Sequence, residues 1–137
     1  MAVYETIAYA VRARLLAVSE VTDLTSRIYP FAAPQFPVQP FILYSTSADL
    51  PYDDIEGRAG LFRANLELLA VSDAHEAAWE LSEAIRIALQ GYHGTYLGVR
   101  IRGIQLESRM DGFQEEISEF TVLSKYKIWH DEEIVPS

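Results

Sequence analysis

The amino-acid sequence predicts an α+β domain: a mainly antiparallel, mixed sheet of about four to five strands with two amphipathic helices on one face, in the order α-β-β-α-β-β. Three observations predict it. Two stretches repeat their apolar residues every three to four positions, the helical period. Four others are rich in β-branched and aromatic residues or alternate with period two. The connections suit hairpins better than parallel crossovers. At 137 residues, half of them hydrophobic, the chain has the length of one domain and enough apolar material for a core.

In chain order, residues 4–18 read as a helix, with Tyr4, Ile7, Ala8, Val11, Leu15 and Val18 on one stripe and Glu5 and Arg12 off it. Thr22 to Thr25 reads as a turn. Pro30, Pro34, Pro37 and Pro40 then crowd into eleven residues. Each removes a backbone donor and biases its predecessor towards extended geometry. A semi-rigid extended loop and a proline-rich ligand segment both fit that pattern, and the flanking core strands favour the loop. A short extra strand fits near Arg27–Tyr29. Residues 41–47 and 60–72 read as strands that pair across a long acidic loop.

Asp73 and Glu76 have the spacing of a capping box before a helix over 74–90. Its apolar face carries Ala77, Ala78, Leu81, Ala84, Ile85, Ala88 and Leu89, with Trp79 at the edge of that stripe and Gly91 as the terminator. Residues 91–98 form a glycine-rich loop. Residues 99–108 read as a strand whose parity slips at Gly103, as a bulge there would produce. Asp111-Gly112 is a hairpin-turn signal. Residues 117–129 read as the last strand, with Lys125 and Lys127 guarding an exposed edge. The domain is placed at 1–130, followed by an acidic tail at 131–137.

The charge narrows the function. Eleven basic and twenty acidic residues give −9. Residues 1–48 balance at three of each, so the excess lies beyond them. Such a chain is poorly suited to holding nucleic acid by phosphate neutralisation. No apolar run spans a bilayer, and the N-terminus lacks the pattern of a secretory signal, so a soluble protein is expected. There is no cysteine, hence no disulfide framework and no thiolate chemistry.

No residue set reads as a catalytic centre, and no cofactor is implied. His75, His93 and His130 lie in different elements, without metal-ligand spacing. No serine sits in a nucleophile elbow. Asp49, Asp53, Asp54 and Glu56 crowd one loop without the calcium-loop pattern, which leaves a solvated loop or an electrostatic surface as readings. Glu115, Glu116 and Glu119 form a second acidic patch beside the Asp111-Gly112 turn. Tyr29, Phe31, Phe36, Trp79, Phe113, Lys125, Lys127 and Trp129 are candidates for a subunit or partner interface, since aromatics outside regular elements often anchor interfaces. A ligand-binding or enzymatic pocket near Tyr92, His93 and Tyr96 is the alternative of a different class.

Several stretches together resemble the tail-completion, or tail-terminator, proteins of long-tailed bacteriophages and prophages. They are the N-terminal helix ending in Leu15-Leu16, then Val21-Thr22-Asp23-Leu24, Arg27-Ile28-Tyr29-Pro30, Ala33-Pro34-Gln35 and Pro40-Phe41-Ile42-Leu43-Tyr44. A hydrophobic strand and a helix ending near a glycine follow. The resemblance covers nearly the whole chain. It implies a non-enzymatic virion protein, assembled in the host cytoplasm. Such a protein forms a homo-oligomeric ring, usually a hexamer, at the head-proximal end of the tail. Its expected partners are the tail tube protein and the head-completion or connector protein. A neighbouring neck ring is the near alternative. On that reading DNA passes through the ring unbound, and Asp49, Asp53, Asp54, Glu56, Asp111, Glu115 and Glu116 are candidates to line the lumen.

Overall fold

The computed structural model describes residues 3–30, 33–35, 37–48, 61–115 and 118–131. Helix α1 (Val3–Ala17) buries Thr6, Ile7, Ala10, Val11 and Leu15, the three-and-four spacing of one face. A short helix α2 (Ser19–Thr22) follows, where the sequence predicts only the turn after it. Strand β1 (Ile28–Pro30) pairs in parallel with β2 (Phe41–Ala48). Strand β3 (Leu61–Ser72) runs antiparallel to β2. Helix α3 (His75–Leu89) leads to β4 (Gly94–Tyr96), β5 (Val99–Gln114) and β6 (Glu119–Asp131).

These strands form one sheet in the order β1-β2-β3-β6-β5-β4, antiparallel except at β1–β2. Among the described residues it has six strands, more than the sequence predicts, because two of them are three residues long. The first is the extra strand expected near Arg27–Tyr29. The other, β4, lies inside the glycine-rich loop, where Gly94-Thr-Tyr96 has too little apolar pattern to announce itself. The predicted pairing of 41–47 with 60–72 is present.

The helices cover one sheet face. Alternate residues Ala64, Leu66, Leu68 and Ala70 of β3 and Val122, Ser124, Tyr126 and Ile128 of β6 are buried against Leu81, Ile85 and Leu89 of α3 and Ile7, Val11 and Leu15 of α1. Ser82 and Ser124 share a buried hydrogen bond of 3.2 Å between α3 and β6. The sheet curls, so that α1 touches β2 on one side and β4 and β5 on the other.

Five local expectations are corrected. Strand β6 is paired on both sides, by β3 and β5, so Lys125 and Lys127 do not guard an edge. Asp111-Gly112 does not turn the chain: both residues continue β5, opposite Val122 and Thr121. The long apolar partner strand outweighs the local turn preference. The parity slip near Gly103 is real, but the extra residue is Arg102, and a second slip follows at Glu107. Asp73 does not cap α3. The N-cap is Ala74, whose amide donates to Ser72 Oγ at 3.4 Å. Asp131 is not the start of a tail: it ends β6 and accepts from Arg102 at 2.8 Å. Gly91 ends α3 as predicted, at φ +77.

Candidate assembly surfaces

The side chains with the clearest interaction chemistry gather where α3 crosses the far half of β5. Glu83 accepts from Arg86 Nη2 at 2.6 Å and from Arg109 Nη1 at 2.9 Å. These bonds hold its carboxyl down at a pKa of about 2, the Arg86 contact contributing most. Arg109 also lies over the Trp79 ring, 5.3 Å from its centroid.

One turn towards the start of α3, His75 Nε2 is 3.0 Å from Asp111 Oδ2, and Trp79 Nε1 is 3.3 Å from the same oxygen. An imidazole nitrogen that donates to Asp111 has no lone pair left for the indole, so both donors converge on the carboxylate. They keep the Asp111 carboxyl below its ordinary range, His75 first and Trp79 second. Phe113 stacks at 4.6 Å on Phe120, and His75 meets Phe120 edge-on at 5.7 Å.

Three sequence candidates, Trp79, Asp111 and Phe113, therefore meet in one patch. Sequence reasoning missed Glu83, Arg109 and His75 as members. The three-residue spacing of Glu83 and Arg86 was a visible signal for one pair. The link to Arg109 needs the register of β5 on β6, which two bulges hide from the sequence.

The opposite sheet face carries Lys125, Lys127 and Trp129. Leu43, Leu69, Leu123 and Met110 form an apolar row across four strands, because each is register-paired with the next. Below it lie Glu67, Lys125 and Ser108. An open cavity of about 550 Å³ follows, lined by Arg63, Gln105, Glu107, Lys127 and Trp129 among others. Lys127 contacts Asn65 Oδ1 and stands 3.9 Å from Glu107.

At the β1 end of the sheet, Tyr29 packs 6.1 Å from Phe41. The proline-rich crossing beside it is tied down. Arg27 Nε donates to the Val38 carbonyl at 2.9 Å, Thr25 Oγ1 to the Pro40 carbonyl at 2.8 Å, and Gln39 Nε2 to Glu119 at 2.8 Å. Its Gln39–Pro40 peptide is cis.

Tyr92, His93 and Tyr96 do not line the cavity described above. Tyr92 lies under Arg14, whose Cζ is 4.7 Å from the ring centroid, and His93 is exposed. Glu115 is exposed at the end of β5. Phe31, Phe36, Asp49, Asp53, Asp54, Glu56 and Glu116 lie outside the described residues. Among the described residues, no group of three or more His, Asp or Glu has the arrangement of a metal site. Among the described residues, no helix is long and apolar enough to cross a membrane.

Comparison with known proteins turns this geometry into a family assignment. The chain resembles, at 18% identity and a TM-score of 0.76, a chain of a structure described as the virion of a native gene transfer agent particle; the match covers 96% of this chain and 98% of that one. At that identity the likeness is one of fold, and it runs end to end in both molecules. No curated protein matches. The family model for tail completion protein gp17 matches residues 9–131, from within α1 to the last residue of β6. The chain belongs to the tail completion protein gp17 family.

Proposed function

We propose that this protein forms a ring, a hexamer, that ends the growth of a phage or phage-like tail tube. The ring presents its other side to the head-completion or connector protein at the head-proximal end of the tail. The observation that carries the reading is the family match over residues 9–131, which takes in all of the sheet and the second half of α1. The surface chemistry supports it. Charged and aromatic groups at α3–β5 are joined to one another in a fixed lattice, as suits a docking face. The likeness to a chain of a virion particle agrees with assembly into such a structure.

The charge of −9 has a use in this setting. A wall that repels phosphates lets DNA pass without retaining it. We assign that role to the acidic candidates Asp49 to Glu56, Glu115 and Glu116, of which Glu115 is exposed, and not to Asp111, whose carboxylate is taken up by His75 and Trp79.

Electron microscopy of tails made with and without the gene tests the function. Overlong tubes, or tubes that fail to join heads, are expected in its absence. Tubes of normal length that lack only a later neck part would overturn termination in favour of a neighbouring neck ring.

A further inference from the structure

The far half of β5 has a backbone edge that nothing among the described residues covers. Strand β4 pairs only with Val99, Arg100 and Ile101. Beyond it, the Gly91 amide donates to the Ile104 carbonyl at 2.9 Å, and the Leu106 amide donates to Gln90 Oε1 at 2.9 Å. These two bonds also fix the phase of the strand. The peptide groups of Ile104 and Leu106 point away from β6, so their partners Ile128 and Tyr126 turn towards β3. By alternation Lys125, Leu123 and Thr121 turn towards β5 and bond to Ser108, Met110 and Gly112. Arg109, Asp111 and Phe113 are left with peptide groups facing outwards.

Proteins close such edges with proline, lysine, short strands or an overlying loop. Both other edges are closed in these ways. Strand β1 is three residues long, ends in Pro30 and has its Ile28 carbonyl reached by Arg12 at 3.4 Å. Strand β4 is also three residues long. The segment Ser108–Gln114 has neither proline nor lysine. Its two charges, on Arg109 and Asp111, cancel and are tied back to α3. Met110 and Phe113, 68% and 49% exposed, flank it on opposite faces.

We infer that this edge of β5 is where a second copy of the chain adds a strand, making the seam between neighbours in the ring. The inference rests on the ring reading above. A copy is the partner always present at equal concentration, so an unguarded edge meets it first. Between chains of −9 each, repulsion is least along a segment with no net charge. Main-chain bonds from Arg109 and Phe113 hold the added strand, and Met110 and Phe113 are covered as it docks.

Two variants separate backbone from side chain. Phe113→Ala and Phe113→Pro both lose the phenyl group, but only the second loses the outward amide, and an outward position on an edge strand tolerates proline. In tails assembled from each full-length protein, Phe113→Ala is expected to be incorporated and Phe113→Pro excluded. The amides of Arg109 and Phe113 in the wild-type protein should exchange at least about tenfold more slowly in tails than in the free protein, while Met110 and Gly112 change little. Equal incorporation of the two variants overturns the seam, as does loss of both. If Phe113→Pro fails to fold, unchanged exchange at Arg109 and Phe113 in the wild type overturns it alone. Slower exchange with wild-type subunits seated singly assigns the edge to another protein's strand and also refutes the seam. Tails of normal length without the gene refute termination, and leave the seam to be judged on exchange in the concentrated free protein.

Discussion

Glu83 collects hydrogen bonds from two arginines on two elements, and its side chain is still 45% exposed. Water and salt therefore screen most of what a pKa near 2 would otherwise represent. Its folded pKa is depressed, so its contribution is complete above the unfolded carboxylate range and is lost as pH falls through the folded value. Removing the charge with Glu83→Gln should cost less than about 1 kcal/mol at neutral pH. The difference from wild type should close between about pH 4.5 and 2 in denaturant titrations. A difference that persists at pH 2 would refute the ion-pair account. Tyr126 presents the opposite case. Its hydroxyl is buried with no hydrogen-bond partner among the described residues, and burial drives its pKa up. An unpaired buried hydroxyl costs about 1 kcal/mol or more. Tyr126→Phe is expected to be neutral or to stabilise by up to about 1 kcal/mol, read as the denaturation midpoint at constant slope. A loss larger than that would mean the hydroxyl has a water partner.

The elements differ in how openly the sequence declares them. Helix α3 is plain in sequence because Leu81, Ile85 and Leu89 recur at the helical period and Gly91 follows. The Gly91 signal has a measurable counterpart. Nothing lies within 4 Å of a methyl group added there, so Gly91→Ala would be penalised by its φ of +77 alone. That should cost about 1–2 kcal/mol, as a lowered melting temperature with the helix content retained. A variant as stable as wild type would show that the turn relaxes. Strand β5 is legible through its first bulge, as far as residue 108, and is lost beyond the second. Each bulge exchanges the two faces of the strand, so period-two reading fails twice within ten residues. Asp111-Gly112, a strong turn signal in isolation, is held extended by pairing with Val122 and Thr121. The capping reading failed for a simpler reason: Ser72 sits one residue earlier and its hydroxyl reaches the Ala74 amide.

For the whole molecule, the layer order and one-sided helix cover could be read from amphipathic period alone. The assembly surfaces could not. Trp79, Asp111 and Phe113 lie in three parts of the sequence and meet only when β5 lies in register beside β6 and under α3. Nothing in the residues around Lys125 and Lys127 distinguishes a last strand at the border of a sheet from one inserted within it. The chain places its last strand third from one side and fourth from the other. That placement has a consequence for synthesis. Strands β3 and β5 have no partner in common until residues 119–131 have left the ribosome, because β6 is inserted between them. A nascent chain stopped before Glu119 holds β1–β2–β3 and β4–β5 as two separate sheets, with the inner flanks of β3 and β5 unpaired. Only the chain translated through β6 can join them into one sheet.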